Sequence, residues 1–278
     1  MVEAGLQGVL DVAAIVPGAV SHRGVTFAER RGFRPLLLDL YVPAGVRGPV
    51  PCVVWVHGGG WEYGDRRFTP STWPVGWLYS SLVGAGMAVA TVDYRLAAEC
   101  PFPGQLDDVR DATRFLRANA QVLGVDPARF GAAGESAGGH LAAMLALTGR
   151  GETAVQAAAV LYGVTDLESM IASTPPERLA EAHESRLIHA ELDPARLRDA
   201  SPVHHASAQA PPMLLISGDS DLTVPLDQST RLRDALVAAG ARDVVLEVVP
   251  GADHCFEGTD PVPSLETVVA FLADRLDA

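Results

Sequence analysis

Short, mostly apolar runs of five to seven residues recur along the chain, separated by longer segments in which apolar residues follow a helical period. Such runs suit strands that are buried on both faces, and their alternation with helices is typical of a mostly parallel sheet. We therefore predict an α/β fold with helices on both faces of a central sheet. The predicted strands are Leu36–Val42, Val53–His57, Ala88–Asp93, Arg129–Gly134, Ala157–Tyr162, Met213–Ser217 and Val244–Val249.

The helical period is clearest near the C-terminal end of the chain. Leu265, Val268, Val269, Leu272 and Leu276 fall on one face of a helix. The chain has 278 residues, 48% of them hydrophobic, so it can bury one large core. We expect a single domain over residues 1–278.

Two segments interrupt the alternation of strands and helices. Residues 61–79 are irregular and aromatic, and residues 165–209 are polar and contain several prolines. Long inserts in compact domains often cover binding sites, so both are candidates for a small lid or cap over a substrate. For the second insert, a solvated connector is an equally good interpretation.

The chain is strongly acidic. Its formal net charge is −13, and all 21 of its Lys and Arg residues are arginines. Nucleic-acid backbones and anionic membrane surfaces are bound by clustered positive charge. We therefore expect neither as a partner.

Cysteine usage and hydropathy bear on the compartment. Cys52, Cys100 and Cys255 cannot all pair within one chain, and their spacing is unlike that of a zinc site. The first twenty residues lack the basic region of a signal peptide, and no apolar run reaches the roughly 18 residues of a membrane span. We expect a cytoplasmic protein without a membrane span.

A candidate nucleophile lies in the segment Gly134–Gly139, which reads G-E-S-A-G-G. It follows a predicted strand and precedes a helix-like segment, and a serine in G-x-S-x-G at such a junction sits on a tight turn that exposes its hydroxyl. The N-terminus of the following helix would also favour negative charge beside Ser136. We predict that Ser136 is a nucleophile.

A serine hydroxyl needs a base to take its proton and a third group to orient that base. Where such a serine follows a strand of an α/β sheet, the acid and then the histidine come later in the chain. His254 follows the last predicted strand, with Gly251 available for a turn, and is the predicted base. Asp219 and Asp221 both follow Met213–Ser217, and the spacing leaves the two open as the acid.

The negative charge that develops on a carbonyl oxygen needs positioned donors, each worth about 2.7–4 kcal/mol. His57–Trp61 reads H-G-G-G-W directly after a predicted strand, and its glycines let backbone amides approach a substrate. We assign Gly59, Gly60 and the amide of Ala137 to an oxyanion hole. A phosphate loop is the alternative, but the G-x-x-x-x-G-K-[ST] pattern is absent. We interpret His57 as a residue that orders this loop.

Aromatic residues are dense just after this loop. The cluster comprises Trp61, Tyr63, Phe68, Trp73, Trp77 and Tyr79. Aromatic faces pack well against rings and apolar chains, so Trp61 and Trp77 are candidate substrate contacts. Packing of the insert onto the domain is an equally good interpretation. Cys255, which adjoins the predicted base, is interpreted as a small packing residue.

Together these segments resemble the α/β-hydrolase superfamily, and within it the HGGG-type esterases related to hormone-sensitive lipase. Asp93–Leu96, Phe102-Pro103 and Gly134–His140 look closest to the branch with bacterial feruloyl and acetyl-xylan esterases and arylformamidases. The resemblance runs from about Val25 to Leu276. It implies Asp221 as the acid, just before the Val224-Pro225 turn, with Asp219 as a structural turn residue.

Two departures from the hormone-sensitive-lipase pattern favour the feruloyl and acetyl esterase-like branch. The usual Asp beside the nucleophile is Glu135 here, and the usual acid motif is replaced by Gly218–Pro225. Both departures weaken any transfer of a lipase-like substrate preference.

These expectations combine into a serine carboxylic-ester hydrolase that acts on small-molecule aryl or alkyl esters through an acyl-enzyme and needs no metal or organic cofactor. An arylformamidase, amidase or peptidase with the same triad is the nearest alternative. A ligand-binding protein on an inactive hydrolase scaffold is a further one, because a fold does not prove an activity. The sequence leaves the oligomeric state open, and a homodimer is possible.

Overall fold

The structure is a computed structural model that describes residues 16–189 and 192–278. Most of the N-terminal segment on which the signal-peptide expectation rests lies outside these residues, as do residues 190 and 191 of the second insert.

Eight strands form a sheet in the order β1-β2-β4-β3-β5-β6-β7-β8. Strands β3 to β8 pair in parallel, whereas β2 is antiparallel to both β1 and β4. The predicted α/β class with a mostly parallel sheet is confirmed. The strands are β1 Ala19–Ala28, β2 Leu36–Pro43, β3 Val50–Val56, β4 Ala88–Val92, β5 Val125–Glu135, β6 Ala157–Leu161, β7 Met213–Gly218 and β8 Val244–Val249.

Strand β1 is the one strand of the described residues that the hydrophobic pattern did not predict. It lies at the sheet edge, pairs only with β2, and has no fully buried residue, with half of its residues exposed. An antiparallel edge strand of this kind needs no continuous apolar run. The amide of Gly24, within β1, donates to Asp39 Oδ1 of β2 at 2.6 Å, where the pairing shifts register.

The helices of the described residues lie between the strands, and several short ones lie within the second insert. The α-helices are α1 Trp77–Gly84, α2 Gly104–Ala118, α3 Ala120–Leu123, α4 Ala137–Thr148, α5 Leu167–Ser173, α6 His183–Ile188, α7 Pro194–Asp199, α8 Asp227–Ala238 and α9 Val262–Arg275. Short 3₁₀ helices cover Gly151–Thr153, Pro176–Glu181, Pro202–His205 and His254–Phe256.

The core has two parts, one on each face of the sheet. Helices α2, α4 and α8 bury apolar residues in one cluster, together with alternate strand residues such as Val54. Helices α1 and α9 pack in the other cluster, against the intervening strand residues Val53 and Trp55. Leu265 and Leu272 of α9 are fully buried, so the predicted apolar face of the last helix is confirmed.

The polar segment 165–209 is a chain of short helices from α5 to the 3₁₀ turn at Pro202–His205. The buried residues Leu167, Leu187 and Leu197 attach it to the core. Among the described helices, none is both long and apolar enough to cross a bilayer.

Candidate active site

Ser136 occupies a tight turn between strand β5 and helix α4. Its backbone has φ 53° and ψ −121°, outside the usual regions for a residue with a side chain. The neighbouring glycines allow this turn because a Cβ on Gly134 would lie 2.4 Å from Gly138 O, and one on Gly138 would lie 2.1 Å from Val56 O. The small residues of the motif are therefore required by close packing against β3.

The structure brings the three predicted catalytic side chains together from three separate loops. His254 Nε2 lies 3.0 Å from Ser136 Oγ, and His254 Nδ1 lies 2.8 Å from Asp221 Oδ2. The Asp221 side chain is fully buried, and its Oδ1 accepts hydrogen bonds from the amides of Thr223 and Val224 at 2.9 and 2.8 Å. An imidazole held in this way can accept a proton from the serine while the carboxylate stabilises the resulting charge.

Two further carboxylates hold the acid and histidine loops against each other. Asp253 Oδ1 accepts hydrogen bonds from the amides of His254 and Leu222 at 2.7 and 3.1 Å. Asp219 Oδ1 accepts the amide of Gly251 at 2.7 Å. The Asp219 side chain thus contacts the backbone of the histidine loop, whereas the Asp221 side chain contacts the imidazole itself.

The three predicted oxyanion-hole residues line the same cavity as Ser136 and His254. Gly59 and Gly60 have φ values of 103° and 58°, and a Cβ on Gly59 would lie 2.3 Å from Tyr63 O. Their amides donate to no protein acceptor in the ranges 16–189 and 192–278. Free amides in this position, with that of Ala137 at the start of α4, can act as donors to a substrate oxygen.

Glu135 is a buried carboxyl next to the nucleophile, and its sequence position indicates only a departure from the hormone-sensitive-lipase motif. Its Oε1 accepts a hydrogen bond from the amide of Gly58 at 2.5 Å. Burial raises the pKa of this carboxyl to about 7, an effect that the Gly58 amide and the charge of His254 oppose. Glu135 therefore connects the serine turn to the oxyanion loop.

The cavity above Ser136 has a volume of about 120 Å³ and is lined mostly by apolar and aromatic groups. Trp61, Tyr63 and Phe68 of the aromatic insert lie on its wall. Trp61 is also fully buried, and its Nε1 donates to His140 Nδ1 at 3.2 Å. Trp61 therefore both lines the cavity and packs within the domain.

The structure places Trp77 away from this cavity, which corrects the assignment of Trp77 as a substrate contact. Trp77 begins helix α1 and packs against the core cluster of helices α1 and α9. Trp73 and Tyr79 lie in that same cluster, where Trp73 stacks on Phe256 at a centroid distance of 6.4 Å. The second half of the aromatic insert therefore anchors the segment to the domain.

The second insert reaches the site through the first residues of helix α6. His183 and Glu184 both line the cavity of Ser136. A Cβ on Gly60 would lie 2.8 Å from His183 Nδ1, so the imidazole rests directly over the oxyanion loop. The sequence did not indicate these two residues, because nothing in a polar helical stretch shows which side chain faces a distant loop.

Other candidate side chains have structural partners. The ring of His57 is fully buried, stacks on Tyr94 at 4.3 Å and hydrogen bonds to Gly58 O through Nδ1 at 2.7 Å. Burial lowers the pKa of His57 to about 4. Cys255 lines the cavity, and burial raises the pKa of its thiol to about 12, so it stays protonated near neutral pH.

The chain matches known esterases in family, sequence and structure. The BD-FAE family model matches residues 38–236. Esterase LipC of Mycobacterium tuberculosis is 31% identical, over 92% of this chain and 67% of its own length. Esterase LipQ of the same organism is 33% identical, over 81% of this chain and 55% of its own length. The chain thus spans about two thirds of LipC and just over half of LipQ.

Among solved structures, Thermogutta terrifontis esterase 2 phosphorylated by paraoxon superposes with a TM-score of 0.73 and 25% sequence identity, over 94% of this chain and 95% of that one. Organophosphates such as paraoxon react with activated serine nucleophiles.

Proposed function

The chain belongs to the BD-FAE family of α/β-hydrolases, and on that premise we propose that it is a serine carboxylic-ester hydrolase. The observation that carries the proposal is the continuous contact from Ser136 through His254 to Asp221, with distances of 3.0 and 2.8 Å. The esterase names of the relatives support the same reaction class.

The reaction proceeds in two steps through an acyl-enzyme. His254 Nε2 takes the proton of Ser136 as Oγ attacks the ester carbonyl, and Asp221 stabilises the imidazolium. The amides of Gly59, Gly60 and Ala137 bind the oxyanion. The tetrahedral intermediate then collapses, and His254 passes its proton to the departing alcohol. Water next attacks the acyl-enzyme with His254 again as base, which releases the acid and restores Ser136.

The cavity at the nucleophile supports an ester with a small acyl group. Ligand pockets commonly have volumes of about 300–1,000 Å³, whereas this one has about 120 Å³. It therefore has room for the reacting carbonyl and a short chain, with the remainder of the ester lying outside. Its apolar and aromatic wall favours acyl groups without charge.

We also propose that the protein acts in the cytoplasm and as a homodimer. The free state of all three cysteines supports a reducing compartment, because disulfides persist mainly in oxidising ones. The mass of the particle in solution tests the dimer.

A fluorophosphonate label combined with a substrate panel tests the function. We expect the label to modify Ser136, and Ser136→Ala to lose the label and several orders of magnitude of turnover on p-nitrophenyl acetate while staying folded. The panel adds N-formylkynurenine and a prolyl peptide, which separate an arylformamidase and a peptidase from an esterase. Near-normal turnover by Ser136→Ala would rule out the mechanism.

A further inference from the structure

Two cavities lie side by side at the active site. The inner cavity of about 120 Å³ contains Ser136, and an outer cavity of about 370 Å³ lies between the second insert and the loop after Asp221. The two share three wall residues, His183, Glu184 and Thr223. A substrate that reaches from one cavity into the other must therefore pass this shared wall.

His183 is the member of this wall that lies against the oxyanion loop. A Cβ on Gly60 would be 2.8 Å from its Nδ1, and the same nitrogen lies 3.4 Å from Glu62 Oε2. Arg186, one turn further along α6, binds both carboxylate oxygens of Glu62 at 2.9 and 3.0 Å. These contacts hold the start of helix α6 in place, with the half-exposed imidazole on the wall that the two cavities share.

The position of His254 decides which part of an ester enters which cavity. The departing alcohol oxygen must lie beside His254 Nε2 to receive its proton. The outer cavity borders Leu222, Thr223 and Pro225, in the loop that carries Asp221 and so holds His254. Thr223 lines both cavities and His254 lines the inner one, so an alcohol that extends from His254 Nε2 past Thr223 enters the outer cavity and leaves the acyl chain in the inner one.

We propose that His183 is a specificity-determining residue that restricts the acyl group to the inner cavity while the alcohol extends into the outer one. The inference rests on the proposed ester hydrolysis. It assigns the substrate class as esters of short-chain acids whose larger part is the alcohol. Ser173, Thr174 and Arg178 line the outer cavity and suit a polar alcohol.

An acyl-chain series tests the partition, with p-nitrophenol as the constant alcohol. We expect kcat/KM of the wild-type enzyme to fall from the acetate to the octanoate, and His183→Ala to raise the octanoate-to-acetate ratio about tenfold or more, because each methylene admitted to an apolar site is worth a factor of about 10–200. His183→Gln fills a similar volume and should keep the wild-type ratio. His189→Asn, at the C-terminal end of α6, should also keep the wild-type ratio. Asparagine suits this position because it tolerates the φ of 54° found there.

An alcohol series tests the outer cavity. Leu222 is 88% exposed and lines only the outer of the two cavities, so Leu222→Trp should fill that space without disturbing the core. We expect it to lower kcat/KM for 1-naphthyl acetate at least severalfold relative to methyl acetate. An unchanged chain-length ratio in folded His183→Ala would overturn the partition, and an unchanged alcohol ratio in Leu222→Trp would overturn the assignment of the alcohol.

Wild-type controls separate these failures from failure of the proposed function. If the wild-type enzyme neither hydrolyses p-nitrophenyl acetate nor reacts with fluorophosphonate at Ser136, ester hydrolysis itself is wrong and the inference falls with it. If the wild-type enzyme does both, unchanged ratios in the variants overturn the inference alone.

Discussion

The carboxylate of Glu135 accepts the amide hydrogen of Gly58 at 2.5 Å, across 77 residues of chain. This contact joins the turn that carries Ser136 to the loop that carries the free amides of Gly59 and Gly60. Above its pKa of about 7 the Glu135 carboxyl is ionised, and a hydrogen bond to an ionised acceptor in a buried site is among the stronger kinds. The distance between nucleophile and oxyanion donors therefore depends on a carboxyl that takes no part in the proposed proton transfers.

Gly58→Ala should disrupt this contact. Its Cβ would lie 2.2 Å from Glu135 Oε1 and 2.5 Å from Oε2, with both groups buried. We expect at least a tenfold loss of kcat/KM, and up to about 10²–10³ if one oxyanion donor is lost, with a stability cost of about 1–3 kcal/mol from overpacking. Steady-state kinetics and urea unfolding measure the two effects.

Gly84→Ala is the matched control, since a Cβ there meets no atom within 4 Å. It should leave kcat/KM unchanged and stability equal or slightly higher. The double variant Gly58→Ala with Glu135→Ala should recover part of the loss by removing the colliding carboxylate. Equal activity of Gly58→Ala and Gly84→Ala would contradict the role of the contact.

Glu135 should also give folding stability a defined pH dependence. Burial raises the pKa of its carboxyl from 4.5 to about 7, so between these values the folded protein binds a proton that the unfolded chain has released. The stabilising effect of the neutral form is fully present below about pH 4.5 and is lost as the pH rises through about 7. Glu135→Gln removes this titration.

We therefore expect Glu135→Gln to gain stability relative to wild type as the pH rises from 4.5 to 7, by a few kcal/mol at most, and the difference to level off above pH 7. Urea unfolding at several pH values between 4.5 and 8.5 measures it. A stability difference that is constant across this range would show that Glu135 does not titrate there.

The sequence predicted those features that depend on local pattern. Seven strands could be predicted because each is an apolar run, although the edge strand β8 has no fully buried residue. The placement of Ser136 and His254 at loops could be predicted because strand ends fix where those loops emerge. The edge strand β1 was missed because half of its residues face solvent. Glu135 and His183 lie against Gly58 and Gly60, which are far away in the chain, and no local pattern encodes such contacts.

The two tryptophans predicted as substrate contacts also show that a local pattern does not encode the direction of a side chain. Trp61 and Trp77 are equally aromatic and lie in one insert, but Trp77 in helix α1 is partly buried and packs against the core. We expect Trp61→Phe to change the ratio of kcat/KM for phenyl acetate and phenyl butyrate about threefold to tenfold, since Trp61 lines the inner cavity, which is proposed to hold the acyl group. Trp77→Phe should keep that ratio and alter only stability, by less than about 1.5 kcal/mol.

Kinetics on the two esters, with thermal unfolding as a check on folding, decide the question for each tryptophan. Equal effects of the two substitutions on the ratio would show that the wall of the cavity does not select substrates. An altered ratio in Trp77→Phe alone would return that residue to the binding site.

Asp219 and Asp221 provide the sharpest comparison, because they are two residues apart and only one contacts the imidazole. In Asp221→Asn the amide oxygen can still accept the Thr223 and Val224 amides, which leaves the NH₂ group facing His254 Nδ1. The imidazole would then carry its proton on Nε2 and could not accept one from Ser136. We expect kcat to fall by about 10⁴, as for the equivalent change in a serine protease.

In Asp219→Asn the amide oxygen can still accept the Gly251 amide, which Asp219 contacts at 2.7 Å. We therefore expect less than a tenfold loss of kcat and a small change in stability. Both variants exchange a carboxylate for an amide of the same shape, so a difference in kcat reports the contact with His254 and not the loss of charge near the site. A larger loss in Asp219→Asn than in Asp221→Asn would reverse the assignment of the acid.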